Sequence, residues 1–357
     1  MKIFERYLAK EILGATLIVT LAFLGLFAFF DLISELRDIG RGGYQLRHAL
    51  AYVSLIQPGR AYEILPICVL IGTLYALTVL ARHSEITVLR TSGLSTRTLL
   101  ASLMRIGMIF VLLTVLLGEF VAPPAERLGQ QMRLQSTGKM VAREFRSGLW
   151  VKDGLAFVNV RDVLPNASLE RVRIFDFDTE FRLIKVREAA RGEYVGQDIW
   201  RLSDVVQTEF VATGSRIERA ASADWHSGLT PELVSVLLVD PDRMSITTLY
   251  RYVSYLGENR RNTEKYEIAL WKKLVFPFAS LVMMVLALPF AYLQDRFGAV
   301  SVKVFTGIML GIGFHMLNGL FSNLGAINGW PPHFAAMTPS IIFLLAGGLL
   351  LWQVERR

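Results

Sequence analysis

Cysteine is nearly absent. Of 357 residues only Cys68 is one, so no internal disulfide can form, and any water-side domain must hold together by its own core. Charge is scarce as well: charged residues make up 19% of the chain, below the roughly 25% usual for soluble domains. Several chemical signatures are missing outright. There is no Gly-x4-Gly-Lys-Ser/Thr loop to cradle nucleotide phosphates, no His-Glu-x-x-His and no Cys/His cluster at metal-ligand spacing. The five histidines, His48, His83, His226, His315 and His333, are scattered. These gaps argue against a self-sufficient nucleotide hydrolase or a zinc enzyme. Any hydrolysis that drives this chain would lie on another subunit.

What the sequence does have is apolar length. Hydrophobic residues make up 53%, and mean hydropathy is +0.42. Ile12–Phe30, Ile64–Ala81, Leu274–Gln294 and Phe334–Val354 carry no charge; Ile106–Ala125 is broken only by Glu119, and Val304–Ile327 only by His315. A bilayer core takes about 20 apolar residues in helical form, and in lipid only a helix satisfies its own backbone along such a run. The pattern predicts a polytopic α-helical membrane protein with six transmembrane helices, three and three. Residues 1–125 hold the first three, residues 126–268 an inserted water-side domain, and residues 269–357 the last three. The first block has too long an apolar core for a cleavable signal and runs into Asp31-Leu-Ile-Ser-Glu35, so it is expected to remain as a helix.

Basic residues in the short loops orient the chain. One side carries Lys2, Arg6, Lys10, Arg82, Arg90, Arg97, Arg105, Arg296, Lys303, Arg356 and Arg357, eleven in all; the other carries four, Arg37, Arg41, Arg47 and Arg60. Both termini are therefore expected in the cytoplasm and the insertion on the far side. With so many basic residues beside apolar blocks, the net charge of +7 points to lipid headgroups, not to nucleic acid.

Inside the insertion the texture is that of short strands. Trp150 to Val160 reads as a hairpin about Asp153-Gly154, with a type I′ turn expected there. Further runs at 171–177, 181–186, 192–195, 199–202 and 205–210 are separated by turn signals, one of them at Ala190-Arg-Gly-Glu193. Many short strands at this spacing predict an all-β, jelly-roll-like, sandwich or barrel domain. A return helix is expected after Ser245, with Ser245 as its N-cap and Gly257 at its end. Lys272 and Lys273 are expected to reach the headgroups.

Candidate functional residues fall in three places. A cytoplasmic helix of about 84–92 has Ser84 as cap, Glu85 in its first turn, Arg90 in its last and Gly93 as its stop, with Ile86 and Leu89 on one side. It is either a connector or a peg that docks into a motor subunit. On the first helix Phe23, Phe27 and Phe30 form an aromatic row. On the fifth, Gly307, Gly311, His315, Asn318, Gly319 and Ser322 form a small and polar stripe, suited to close packing or to a gate.

Six stretches resemble the lipopolysaccharide export permeases, the LptF/LptG family, and are most similar to its G-type subunit. They are Ser84-Glu-Ile-Thr-Val-Leu-Arg-Thr-Ser-Gly93, Gly118-Glu-Phe-Val-Ala-Pro123, Gly148-Leu-Trp-Val-Lys-Asp-Gly154, Ile199-Trp-Arg-Leu-Ser203, Asp240-Pro-Asp-Arg-Met-Ser-Ile246 and Leu281-Val-Met-Met-Val-Leu-Ala-Leu-Pro289. The resemblance implies a non-catalytic inner-membrane subunit with a periplasmic jelly roll that extracts lipopolysaccharide from the outer leaflet of the inner membrane. It implies an F-type paralogous partner, two copies of a cytoplasmic ATPase holding ATP and magnesium, and a single-span C subunit whose jelly roll continues the bridge. Glu85 would face the ATPase, and Phe23, Phe27, Phe30 and the stripe from Gly307 to Ser322 would border the lipid's gate. Relatives carry basic residues at the far end of the first helix to meet phosphates; here Arg37 and Arg41 stand among Asp31, Glu35 and Asp38. The competing class is an ion-gradient-driven secondary transporter of lipids or drugs, which would need inverted repeats and ionisable residues at mid-membrane.

Overall fold

The apolar blocks become the middles of helices longer than themselves. The computed structural model describes residues 3–40, 43–137, 148–164, 168–211, 214–231, 241–258, 263–292 and 300–356. Lys2, Arg41, Arg296 and Arg357 lie outside the described residues. The chain opens with α1 (Ile3–Leu36), α2 (Leu46–Arg82), a short α3 (Glu85–Thr91) and α4 (Thr96–Val115). A π-helical turn, Leu116–Val121, joins α4 to α5 (Ala122–Thr137). After six strands come α6 (Ile246–Glu258), α7 (Glu264–Val275), α8 (Ala279–Tyr292), α9 (Val300–Asn328) and α10 (Pro332–Glu355). Six rods are long and apolar enough to cross a bilayer: Ile3–Leu36, Leu46–Arg82, Thr96–Arg133, Glu264–Phe290, Ser301–Asn328 and Pro332–Val354. At 1.5 Å per residue α1 reaches about 51 Å, so its ends stand beyond a roughly 30 Å hydrocarbon core.

The helices do not share burial equally. The most apolar stretch of α2 is 78% buried and that of α1 only 11%, which makes α2 the axle of the bundle and α1 a rim helix. Leu8 and Ile12 of α1, Val69 and Leu77 of α2, and Leu103 and Ile106 of α4 form one core. Leu70 and Leu74 of α2 with Met283, Phe314 and Phe343 form the second.

The insertion is all-β, as its turn spacing predicts. β1 (Leu149–Asp153), β2 (Ala156–Val163), β3 (Leu169–Phe177), β4 (Leu183–Gly196), β5 (Ile199–Val211) and β6 (Gly214–His226) pair antiparallel in sequence order, with β1 and β6 as the outer strands among the described residues. Gly154 closes the first hairpin at φ +59° while Leu155 keeps a negative φ, so the turn follows the II′ pattern rather than I′. The expected turn at Ala190–Glu193 does not occur; β4 runs straight through it. The runs at 199–202 and 205–210 likewise merge into β5.

One physical feature explains both mergers. Arg171 and Asp204 lie on one transverse row of the sheet and have φ +54°, the left-handed region. Across that row the inward residues fall three apart, not two: Val160 then Val163, Leu169 then Val172, Ala189 then Gly192, Leu202 then Val205. Such kinks bend a sheet without ending its strands. Polar and glycine residues at the crease mimic turn signals. Gly192 is needed there because a Cβ would press on Leu202, at 3.2 Å. The bent sheet folds over itself about Val158, Val172, Trp200, Leu202 and Trp225. Asp153 thereby comes within 3.9 Å of a Cβ built on Gly228, which follows the far end of β6.

The return to the membrane follows the sequence in part. Ser245 caps α6, its Oγ accepting from the Thr248 N–H at 3.2 Å. Lys272 and Lys273 do not reach outward. Lys272 pairs with Asp242 at 2.9 Å, and Lys273 is buried, donating to the Met244 carbonyl. The turn at Pro241–Arg243 lies against the start of the fourth span, so both ammonium groups find protein partners before headgroups.

Candidate functional site

The short helix α3 is fastened to its own chain. Ile86, 6% exposed, packs in one core with Leu8 of α1 and Leu77 and Leu80 of α2, with Phe4 against it, while the half-buried Leu89 borders a hollow beside them. Ile86 therefore cannot serve as an outward peg, and Leu89 is only half exposed; the protruding apolar residue is Val88, 63% exposed. Glu85, half-buried, accepts a hydrogen bond from the Tyr7 hydroxyl at 3.4 Å. Ser84 departs from its expected role. It sits at φ +61°, whereas an N-cap needs extended backbone, and it closes a tight turn through its N–H to Ala81 O at 3.0 Å. Gly93 does end the helix: at φ +95° it lets the Leu94 N–H reach back to Leu89 O at 2.9 Å, a left-handed C-terminal cap. Arg90 lies in the last turn, and its side chain lies outside the described residues.

At its other end α1 is clamped by arginines. Arg60 of α2 pairs with Asp31 at 3.0 Å and stands over the Phe27 ring at 5.6 Å. Arg133 of α5 bridges Glu35 at 3.0 Å and Asp38 at 3.1 Å. Tyr44 donates its hydroxyl to Glu35 at 2.9 Å, and its pKa is pushed up, first by burial and then by that bonded carboxylate. The acidic residues that break the basic collar are thus matched within the chain. Arg37 is exposed and has no ion-pair partner among the described residues. Arg41 lies outside them. Phe23 and Phe27 stack at 6.5 Å and are half-buried, so of the aromatic row only Phe30, 57% exposed, turns fully outward.

The stripe on α9 divides. A Cβ on Gly307 would overlap Leu74, and one on Gly311 would come within 2.6 Å of Ile67, so both glycines serve close packing on α2. Asn318 is buried on the same side and donates to Phe314 O at 3.2 Å. His315 is exposed, beside an apolar outer face of Phe305, Met309, Ile312 and Met316. Ser322 is half-buried.

Two roles escaped the sequence. Glu119, the lone charge of the third apolar block, sits in the π-helical turn and reaches α6: the Ile246 N–H donates to its carboxylate at 2.8 Å. A wide turn of this kind re-aims a side chain. Gly118 allows it, because any Cβ there would strike the Tyr62 ring. Near the opposite end of the bundle the buried Glu5 is paired with Arg105 and accepts from Ser102 at 3.3 Å. Only the oddity of a carboxylate in an apolar or helix-starting stretch signalled either one.

The six spans and the inserted antiparallel sheet agree with comparison to known proteins. The family model described as lipopolysaccharide export system permease LptF/LptG matches residues 6–353. The chain belongs to this family. It is similar to the LptG permease protein of Escherichia coli K12, 31% identical over 360 residues, covering 99% of this chain and 98% of the relative. The LptG protein of Haemophilus influenzae is 28% identical over 354 residues, covering 99% and 98%. The E. coli K12 LptF protein also matches along its length, more weakly, at 23% identity over 362 residues. The family is one of multi-pass inner-membrane permeases, and the six spans place this chain among them.

Proposed function

We propose that this chain is the G-type permease subunit of an ATP-driven exporter that draws lipopolysaccharide from the outer leaflet of the inner membrane. The observation that carries the reading is the family match over residues 6–353 with the G-type relatives foremost. An F-type paralogue completes the permease, two ATPase copies supply hydrolysis with their own ATP and magnesium, and a C subunit with its own β-domain continues the route. The eleven-to-four bias of basic residues supports a topology with both termini in the cytoplasm and the sheet in the periplasm. Exposed Phe30 and Arg37 then stand where a phosphorylated lipid enters, with arginine matching phosphate oxygens in a planar fork.

In this reading α3 receives the ATPase through Val88 and the half-exposed Glu85. Because Ile86 packs in one core with Phe4 and Leu8, a push on α3 acts on the foot of α1. At the periplasmic end, β6 offers an edge: Gly214 to Ser222 is exposed on both faces, and edge strands present free N–H and C=O groups to an incoming strand. β5, an interior strand, cannot do this.

The test is reconstitution in vesicles with the partner subunits. Val88→Asp and Glu85→Lys are each expected to weaken ATPase association or uncouple hydrolysis from lipid release, since breaking a charge pair at an interface costs about 2–5 kcal/mol. Arg97→Glu, beyond the Gly93 stop, is expected to matter less. Normal coupling in both α3 variants would remove this helix from the transmission path.

A further inference from the structure

We propose that the protein holds an anionic phospholipid in a groove between α1 and α4, in the membrane leaflet opposite the β-domain. The groove measures about 580 Å³ and is lined by Leu13, Gly14 and Leu17 of α1 and Ile109 of α4, with Arg6 and Lys10 at its rim. Gly14 makes the hollow: a Cβ there would meet nothing within 4 Å. Leu17 and Ile109 are exposed apolar walls.

Charge separates this groove from ordinary lipid-facing surface. Arg6 and Lys10 are one helical turn apart on the face that continues through Gly14 and Leu17, and both are exposed. Neither has an ion-pair partner among the described residues. Of the nearby carboxylates, Glu5 is buried in its own contacts with Arg105 and Ser102, and the exposed Glu11 forms no ion pair with either cation among the described residues. The rim therefore carries two cations with no ion-pair partner among the described residues, above an apolar slot. Basic pockets between membrane helices bind anionic headgroups in this way.

The dimensions suit one leaflet. From Arg6 to Leu17 the helix rises about 16 Å, close to half of a roughly 30 Å hydrocarbon core. The cations thus sit at headgroup level while the slot takes an acyl chain. The leaflet follows from the fold alone: this end of α1 packs on α3 and the start of α4, whereas the other end meets Arg133 at the root of the β-domain. The lipid held here is on the side away from the proposed lipopolysaccharide entry. The inference rests on the membrane-spanning architecture and does not depend on which substrate is exported.

The experiment uses the full chain in nanodiscs of phosphatidylglycerol and phosphatidylethanolamine, with retained lipids counted by native mass spectrometry. Phosphatidylglycerol is expected to be retained preferentially. In the double variant Arg6→Gln, Lys10→Gln its affinity is expected to fall about thirtyfold, equivalent to about 2 kcal/mol at 1.4 kcal/mol per tenfold. Gly14→Leu, which keeps both cations but fills the slot, is expected to lower retention independently. Arg47→Gln, at the opposite end of the bundle, is expected to leave retention unchanged. Equal retention of the two lipids, undiminished binding in both groove variants, or a Leu17→Cys crosslink that captures a protein chain in place of lipid overturns the proposal. Loss of lipopolysaccharide transport with lipid retention intact would count against the proposed function and leave this site standing.

Discussion

Replacing Arg133 by Met tests whether α1 is clamped to the root of the β-domain. Arg133 Nη2 lies 3.0 Å from Glu35 and 3.1 Å from Asp38, and those side chains are only 6% and 11% exposed. Removing the cation takes the guanidinium away from two nearly buried carboxylates. Breaking a buried pair costs about 3–5 kcal/mol, mostly through the stranded partner. Arg133 itself is 37% exposed, and the Tyr44 hydroxyl still serves Glu35, so the lower end, about 3 kcal/mol, applies. At roughly 1–2 °C per kcal/mol for a chain of this length this is a fall of about 3–6 °C in apparent Tm, read by intrinsic fluorescence of the purified chain in detergent. A triple variant adding Glu35→Gln and Asp38→Asn removes the stranded charges and is expected to recover more than half of the loss. An Arg133→Met protein melting within about 2 °C of the parent would refute the clamp, as would a triple variant no better than the single one.

Gly72→Ala drives a Cβ into the backbone of Thr16, whose N would lie 2.7 Å away; it is expected to cost about 1–3 kcal/mol by forcing α1 off α2, whereas Gly25→Ala, with open space around it, leaves the melting temperature unchanged. Glu119→Ala strips the Ile246 N–H of its carboxylate and is expected to cost about 1–2 kcal/mol, the worth of a helix N-cap, with faster hydrogen exchange at Ile246 and Thr247 and none of that change in the sheet. Tyr44 keeps its proton in the folded state when an unfolded tyrosine, with pKa about 10, has lost it; stability from this group is therefore complete below pH about 10 and falls as pH rises further. The alkaline limb of a Tm-against-pH curve is expected to be shallower in Tyr44→Phe.

The sequence by itself determined the number of spans, because apolar runs of bilayer length leave the backbone no choice but helix. It determined the inserted β-domain and its place, since turn chemistry is local, and the extent of α3, whose stop is written in Gly93. Family membership was legible in six separated motifs. It did not determine what faces what. Ile86 and Leu89 read as an outward pair, but whether a loop helix turns its apolar side to a partner or to its own chain depends on Phe4 and Leu8, some 80 positions earlier. Asp31 and Asp38 looked like defects in a basic collar until α2 and α5 brought Arg60 and Arg133 to them. The Ala190–Glu193 signal was misread because a crease in a strand uses the same small and polar residues as a turn. Only neighbouring strands, all kinked on one row, show which it is. Local sequence encodes backbone preference and polarity over a few residues. Pairing of charges, the facing of a helix and the folding of a sheet over itself are set by contacts between distant segments, and these exist only once the chain has closed.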